Sequence, residues 1–369
     1  MKVEIHNERV KKLQRLIDKQ NIDLCILFDR ENFIYFTGIE QVECMAIIIP
    51  RSGKPVGIVL WLDLEFIKNN CLLEDIRPYV FPRESITDMV IKIIKEMGYS
   101  DPVIGFEKSF ISFNIFNSLK NEFNVNKFVS VSEIIYKLRS IKTFGEIKLI
   151  EKAAQSVCAG MKAAVKIIKS GVKELDVAAE AEYASMKAGS EGTPFRPQIV
   201  SGIRTLITHP FATEKRIENG ELVLIHIGAK CGGYTAKMCR TVAIGNITKE
   251  QKDIFEVIKK TQTEAIKKLR PGIPVNEVYI AARKVVERAG YIKYFLDVIG
   301  YGVGLRQSEF YPIIALNSNV LIEENMVVDV LLPTIYKKGS GGSRITDTIL
   351  IKKSKTKLLT DFPNDLIVV

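Results

Sequence analysis

Histidine exchanges protons close to neutral pH, so histidines are the first candidates for acid–base chemistry in this sequence. The chain has three histidines, and two of them, His209 and His226, lie in its second half. His226 falls within a predicted β-hairpin over residues 222–244. The alternative for each is an ordinary hydrogen-bonded side chain, and the residue pattern alone leaves both roles open.

Lys237 is the next candidate, because strand alternation from Tyr234 to Thr241 places it on one face with Thr235 and Cys239. If that face is buried, the ammonium group must find an anionic partner or lose its proton. The candidate partners are three later acidic residues, Asp329, Asp347 and Glu309. Lys237 could therefore anchor a ligand's carboxylate or stabilise an oxyanion, or it could form a structural salt bridge.

The six cysteines include no CxxC pair, which argues against a disulfide framework and against structural zinc. Cys239 is close in sequence to Lys237 and could be a nucleophile, although an inert buried thiol is the commoner state. Cys25, Cys44 and Cys158 lie among apolar residues and are expected to be small core residues.

The predicted helices and strands that must position these residues fall into two groups, which differ in the length and order of their elements. Residues 1–139 combine short apolar strands and amphipathic helices, which predicts a compact α/β domain. Residues 140–369 begin with two long helices and continue with a hairpin, two further helices and late strands, which predicts an α+β domain. The predicted elements of this second domain are helices at 146–170, 174–188, 249–269 and 275–289, and strands at 198–202, 326–332 and 344–351.

Composition limits the classes of function. The 369 residues are 47% apolar and 26% charged, as expected for a globular chain large enough for two cores. The net charge of +10 would suit nucleic acid, but the lysines are dispersed and no aromatic residues interleave them for base stacking. The apolar runs are too short to span a bilayer, and the charged start has no apolar leader segment. We expect a cytoplasmic protein that contacts neither membrane nor nucleic acid.

From Lys142 to Leu366 the chain resembles the prolidase, aminopeptidase P and creatinase family, whose carboxy-terminal domain has the "pita-bread" fold. The matching motifs occur in the family's order, and they are Gly202-Ile203-Arg204, His209-Pro210, Ile217 to Val223, Gly233-Tyr234, Arg240-Thr241, Gly300 to Leu305, and Arg344 to Thr348. Residues 29–38 resemble the family's amino-terminal domain. The resemblance implies an α/β creatinase-type domain over 1–139 and an α+β pita-bread domain with a curved antiparallel sheet over 140–369.

Peptidases of this family bind two divalent ions through two aspartates, one histidine and two glutamates, and one ion activates the attacking water. Carried over by position, the five ligands fall on His226, Lys237, Tyr301, Leu331 and Thr346. Lysine is a cation, leucine is apolar, and neutral tyrosine and threonine bind divalent ions poorly. We therefore expect no metal, no cofactor and no metallopeptidase mechanism.

The resemblance also suggests roles for individual residues. His209 stands where the family has a histidine that contacts substrate, and creatinase, which acts without metal, uses a histidine of this region as its general acid and base. The expected catalytic residues are therefore His209 and His226. The expected substrate-binding residues are Lys237, Tyr301, Glu309, Asp329 and Arg344. Tyr301 could instead fill the pocket, and Arg344 could hold neighbouring strands.

Two functions are compatible with these residues. One is a metal-independent hydrolase of a small C–N-bonded compound, an amide or an amidine-like molecule. The alternative is a catalytically inactive pseudo-peptidase that binds a peptide, a metabolite or a protein, for which the peptidase-like domain of a histone chaperone is a precedent. The ligand is expected to be small or a short peptide, and anionic. Relatives with this amino-terminal domain are usually dimers, so a homodimer is expected.

Overall fold

The computed structural model describes residues 2–41, 43–330 and 335–369. The chain divides into two compact units, Met1–Arg139 and Ser140–Val369. Leu331, one of the positions compared above with a metal ligand, lies outside the described residues. None of the described helices is long and apolar enough to cross a membrane.

The amino-terminal unit is built on a six-stranded sheet. The strands are β1 (Leu24–Leu27), β2 (Ala46–Pro50), β3 (Val56–Leu60), β4 (Asp75–Tyr79), β5 (Ile104–Phe106) and β6 (Phe128–Ser130). Their order in the sheet is β4-β3-β2-β1-β5-β6. Strands β1 to β3 pair antiparallel, whereas β4, β5 and β6 add in parallel. The helices are α1 (Lys2–Asp18), α2 (Arg30–Thr37), α3 (Leu64–Asn70), α4 (Ile86–Glu96), α5 (Phe113–Glu122) and α6 (Ser132–Ser140).

The central strands are buried on both faces, which is why the sequences of β1 and β2 are continuous apolar runs.

One of the three cysteine predictions that were based on apolar neighbours in the sequence is wrong. Cys25 is buried and Cys158 is partly buried, but Cys44 is exposed, so its predicted place in the core was wrong. Cys44 precedes β2 in a loop, where its φ of 52° turns the backbone away from the strand direction.

The strands of the carboxy-terminal unit are β7 (Gln198–Ser201), β8 (Leu222–Cys231), β9 (Tyr234–Ala243), β10 (Val298–Gly302), β11 (Glu309–Ala315), β12 (Val327–Val330), β13 (Asp347–Leu350), β14 (Lys357–Leu358) and β15 (Ile367–Val368). They form two small sheets, in the orders β15-β9-β8-β7 and β11-β10-β12-β13-β14. The helices are α7 (Phe144–Ile167), α8 (Glu174–Lys187), α9 (Lys249–Lys268) and α10 (Val275–Arg288).

Local sequence explains where the long helices begin. The Thr143 hydroxyl accepts a hydrogen bond from the Glu146 amide, and the Glu146 carboxylate accepts one from the Thr143 amide at 2.7 Å. This capping box starts α7 at Phe144, two residues before the predicted start. Thr248 and Gln251 cap α9 in the same way. Helices α9 and α10 then pack their apolar sides into a core that includes Phe255.

The two sheets meet at β9, whose middle is bonded to residues just before β13. Cys239 N donates to Thr346 O at 3.0 Å, and Thr346 N donates to Cys239 O at 3.1 Å. This isolated bridge brings the side chains of the β8–β9 hairpin next to those of β12 and β13. The predicted order of an α/β unit followed by an α+β unit is confirmed.

Candidate ligand-binding cavity

The β8–β9 hairpin sets the positions of the two central residues. Its register pairs His226 with Cys239 and Gly228 with Lys237, so the histidine and the lysine lie on one face of adjacent strands. Gly228 is required by close packing, because a Cβ atom there would lie 2.8 Å from the ring of Phe195. Phe195 in turn packs against the His226 ring, with 4.8 Å between ring centroids.

Lys237 is completely buried and forms an ion pair with Asp329, which is also completely buried. Its Nζ also donates to Ser308 Oγ at 3.0 Å and to Gln307 Oε1 at 3.2 Å. The other oxygen of Asp329 accepts the Tyr301 amide at 2.8 Å. Burial lowers the pKa of Lys237 and raises the pKa of Asp329, while the attraction between them opposes both changes.

Only one of the three predicted acidic partners pairs with the lysine. Asp347 pairs instead with Arg240 at 2.7 Å. Glu309 Oε1 accepts the Arg306 amide at 3.2 Å. The expectation that Glu309 would share the charge of the lysine is therefore not met, and among the described residues Asp329 provides the carboxylate.

His226 and Arg344 share Gln198 as a hydrogen-bonding partner. His226 Nδ1 lies 3.1 Å from Gln198 Oε1, and Arg344 Nη1 donates to the same oxygen at 3.2 Å. Arg344 Nη1 also lies 3.3 Å from His226 Nδ1, but it can direct its hydrogen to Gln198 Oε1 instead. An unprotonated Nδ1 would place two lone pairs 3.1 Å apart, so we assign the proton of the neutral ring to Nδ1. Burial, followed by the positive charges of Arg344 and Lys237, lowers the pKa of His226 well below its usual 6.5.

Arg344 is a buried cation whose side-chain partners are neutral. It is 4% exposed, and besides Gln198 its guanidinium donates to the Tyr336 hydroxyl at 3.2 Å. Across the described parts of the chain, no carboxylate lies within ion-pair distance of it. The positive charge of Arg344 at the inner end of the site therefore has no carboxylate partner among the residues that the structure describes.

These side chains surround a cavity of about 500 Å³. Five predicted residues line it, and they are His209, His226, Tyr301, Glu309 and Arg344. His209 is exposed and His226 is buried, so the cavity extends from the surface to the hairpin. Lys237 and Asp329 lie behind its wall, which Gln307 and Ser308 form. The remaining lining residues are Phe195, Arg196, Gln198, Thr208, Phe211, Leu296, Val298, Phe310 and Tyr336.

Four residues that organise this site were not predicted from the sequence, and they are Gln198, Gln307, Ser308 and Tyr336. Gln198 could have been found, because the predicted strand at 198–202 can pair with the hairpin and does place Gln198 beside His226. Gln307, Ser308 and Tyr336 lie outside helices and strands, so no periodicity in the sequence indicated where their side chains would point.

The donor atoms near the hairpin do not form a usual metal site. Within residues 2–41, 43–330 and 335–369, no group of three or more histidine, cysteine, aspartate or glutamate side chains could hold a metal ion. The thiol of Cys239 is fully buried, and this burial raises its pKa to about 12. A thiol that keeps its proton is neither a good ligand nor a nucleophile.

Comparison with known proteins gives matches over both units. Residues 9–141 match the Creatinase/Prolidase N-terminal domain, and residues 148–353 match Metallopeptidase family M24. An Xaa-Pro dipeptidase of Pyrococcus horikoshii is 33% identical over 365 residues, which cover 99% of this chain and 100% of the relative. The structure of an Xaa-Pro dipeptidase from Bacillus anthracis has a TM-score of 0.91 at 28% identity, covering 99% of this chain and 100% of that one. The N-terminal domain of the FACT complex subunit SPT16 from Cicer arietinum shares the fold alone, with a TM-score of 0.81 at 18% identity over 98% of this chain and 97% of that one.

Proposed function

This chain belongs to metallopeptidase family M24, and we propose that it is a member that hydrolyses a small C–N-bonded compound without metal ions. The match confirms the family resemblance and the fold class, a creatinase-type α/β domain followed by a pita-bread domain with an antiparallel sheet. The observation that carries the proposal is the buried ion pair between Lys237 and Asp329.

A pair of divalent ions does not fit the residues at this site. Hard cations need several carboxylate oxygens, but four positions compared with family ligands hold His226, Lys237, Tyr301 and Thr346. The ammonium of Lys237 would repel a cation placed beside it. The carboxylate that contacts Lys237, that of Asp329, is already bonded to that lysine and to a backbone amide. No step of the proposed reaction therefore involves a metal ion.

The proposed chemistry uses His209 as a single acid and base. It would take a proton from water as the water attacks the carbonyl or amidine carbon, and it would return that proton to the nitrogen as the C–N bond breaks. Burial and the Asp329 charge raise the pKa of Tyr301, so its phenol keeps a proton that can be donated to the developing negative charge.

Two predicted roles change in this proposal. His226 becomes a binding residue, since a histidine whose pKa is far below neutrality is a weak base. Lys237 and Asp329 become positioning residues, because the bonds from Lys237 to Gln307 and Ser308 fix the wall of the cavity. Arg344 keeps its predicted role as a contact for an anionic ligand.

The test is hydrolysis of a panel of N-acyl amino acids, N-carbamoyl amino acids, amidines and Xaa-Pro dipeptides in the presence of a metal chelator. We expect one class to be cleaved with the chelator present. His209→Ala should lower that rate by roughly a hundredfold or more. The matched control, His6→Ala, changes a histidine of the other unit and should leave the rate unchanged. Cleavage that appears only after Mn²⁺ is added would overturn the proposal.

A catalytically inactive pseudo-peptidase is the second candidate. It is favoured by the three protein groups that already bind the Lys237 ammonium, those of Asp329, Gln307 and Ser308. Because these bonds hold the ammonium in place, it cannot stabilise negative charge that develops on a substrate during a reaction. Under this candidate a ligand would bind in the cavity, no compound of the panel would be cleaved, and His209→Ala would change affinity only.

We also propose that the protein is cytoplasmic and that it is a homodimer, the second of which is expected from the family resemblance. Light scattering should give the mass of two chains at micromolar concentration. A mass of one chain, 41.6 kDa, would contradict this proposal without affecting the proposed chemistry.

A further inference from the structure

Two residues that line the cavity each have a buried polar atom without a hydrogen-bond partner among the described residues: Nε2 of His226 and Nε of Arg344. The two residues are 3% and 4% exposed, so each atom belongs to a side chain that is more than nine-tenths buried. Buried polar atoms are rarely left unpaired, because each one costs free energy that a ligand can recover. We propose that these atoms form an inner subsite for a small carboxylate that carries an N–H or O–H donor beside the carboxylate group.

The direction of each hydrogen bond follows from the neighbours. His226 Nδ1 lies 3.1 Å from Gln198 Oε1 and 3.3 Å from Arg344 Nη1. With the ring proton assigned to Nδ1 and donated to the closer Gln198 oxygen, Nε2 presents a lone pair. A ligand must therefore donate a hydrogen to His226. The guanidinium of Arg344 can only donate, so the same ligand must also accept a hydrogen bond from Nε.

The charge requirement follows from the ion pairs. Asp329 neutralises Lys237, whereas the side chains that Arg344 contacts among the described residues are the neutral ones of Gln198, His226 and Tyr336. A second cation, Arg196, also lines the cavity, where its guanidinium lies 4.2 Å from the centre of the Phe211 ring. An anionic acceptor is thus better matched to Arg344 than a neutral one, and a carboxylate is the simplest such group.

The size and shape of the cavity limit the ligand further. A volume of about 500 Å³ suits a compound of small-molecule size. Aromatic rings of Phe195, Tyr301 and Phe310 form part of the wall, and Phe195 packs on the imidazole itself. Planar groups such as an amide beside the carboxylate are suited to such a surface. The inference rests on the proposed function in one respect: both assume that the ligand binds in this cavity. The inference itself concerns ligand binding and not hydrolysis.

The experiment is calorimetric titration of the intact protein with three matched probes. N-acetylglycine has both a carboxylate and a neighbouring N–H, N-acetylsarcosine lacks the N–H, and N-acetylglycinamide lacks the carboxylate. We expect N-acetylglycine to bind roughly tenfold or more tightly than each of the others, which is the scale of one hydrogen bond to a charged group. Equal affinity for the three probes, or no measurable binding of N-acetylglycine, would overturn the inference.

Two variants test whether His226 and Arg344 are responsible for the preference for N-acetylglycine. His226→Phe keeps an aromatic ring against Phe195 and should abolish the preference for N-acetylglycine over N-acetylsarcosine. Arg344→Met should abolish the preference over N-acetylglycinamide. The control Arg288→Met, an exposed arginine on α10, should retain both preferences. Retention of both preferences in the cavity variants would contradict the assignment.

If a variant does not fold, the comparison of probes on the unchanged protein still decides the inference. Its failure is also distinguishable from failure of the proposed function. Hydrolysis that requires Mn²⁺ would overturn the proposed function. The inference is tested separately, by the relative affinities of the three probes.

Discussion

The Lys237 ammonium and the Asp329 carboxylate are bonded to each other at a place where neither side chain has any exposed surface. Removing two charges from water is costly, and their attraction offsets the cost only while both are present. The strand residues around them hold this pair at the position that the family resemblance compares with a metal ligand. The pair therefore explains both how a lysine is tolerated there and why a cation is not expected beside it.

Replacing only the lysine should expose the cost of the remaining charge. We predict that Lys237→Met lowers the free energy of unfolding of the carboxy-terminal unit by about 3–5 kcal/mol, because it leaves the Asp329 carboxylate buried without a partner. The double variant Lys237→Met/Asp329→Leu should recover most of the loss. Lys268→Met, at an exposed position on α9, is the matched control. Urea denaturation measures all three, and a single variant as stable as the parent would contradict the prediction.

A buried carboxylate in the amino-terminal unit gives a pH-dependent prediction. Burial, together with the Asp29 charge, raises the pKa of Glu107 from 4.5 to about 8, although the Arg139 charge opposes the change. Because the folded pKa is above the unfolded value, the stabilisation is fully present below pH 4.5 and is lost as the pH rises through about 8.

Glu107→Gln should therefore flatten the pH dependence of stability of this unit across that interval, since glutamine does not titrate. Glu65→Gln, at an exposed position on α3, is the control and should leave the dependence as it is. Thermal unfolding followed over the interval is the measurement. An unchanged profile in Glu107→Gln would show that another group is responsible.

The hairpin was the part of the site that the sequence predicted well, and the reason is physical. Alternation along a strand depends on neighbours in the sequence, so Lys237 and Cys239 could be placed on one face from their spacing alone. The choice of Asp329 over Glu309 depends on how β10, β11 and β12 are registered, including a shift between Tyr301 and Gly302. The register of strands that are far apart in the sequence cannot be predicted from the local pattern of apolar and polar residues.

The protonation states of the buried titratable groups also could not be predicted without the structure. The sequence predicted proton exchange near neutral pH for His226, because that is the usual behaviour of histidine. Complete burial beside Arg344 and Lys237 reverses this expectation. Likewise, apolar neighbours could not show that Cys44 lies before its strand and is exposed.

The cysteines allow a direct test of burial. Cys239 is fully buried with a pKa raised to about 12, so we predict that iodoacetamide leaves it unmodified in the native protein. Cys44 is exposed and should be alkylated under the same conditions, which provides an internal control. Peptide mass spectrometry after timed labelling measures both sites. Modification of Cys239 at a rate close to that of Cys44 would contradict its predicted inertness.

The central claim, that this member of the M24 family acts without metal ions, is tested most directly by elemental analysis. The protein should be measured as purified, and again after exposure to Mn²⁺ followed by gel filtration. We predict no stoichiometric manganese, cobalt, zinc or iron in either sample, because Lys237 repels a cation and Asp329 is already paired. A content of about two metal ions per chain, the number that the family's dinuclear site binds, would contradict the account.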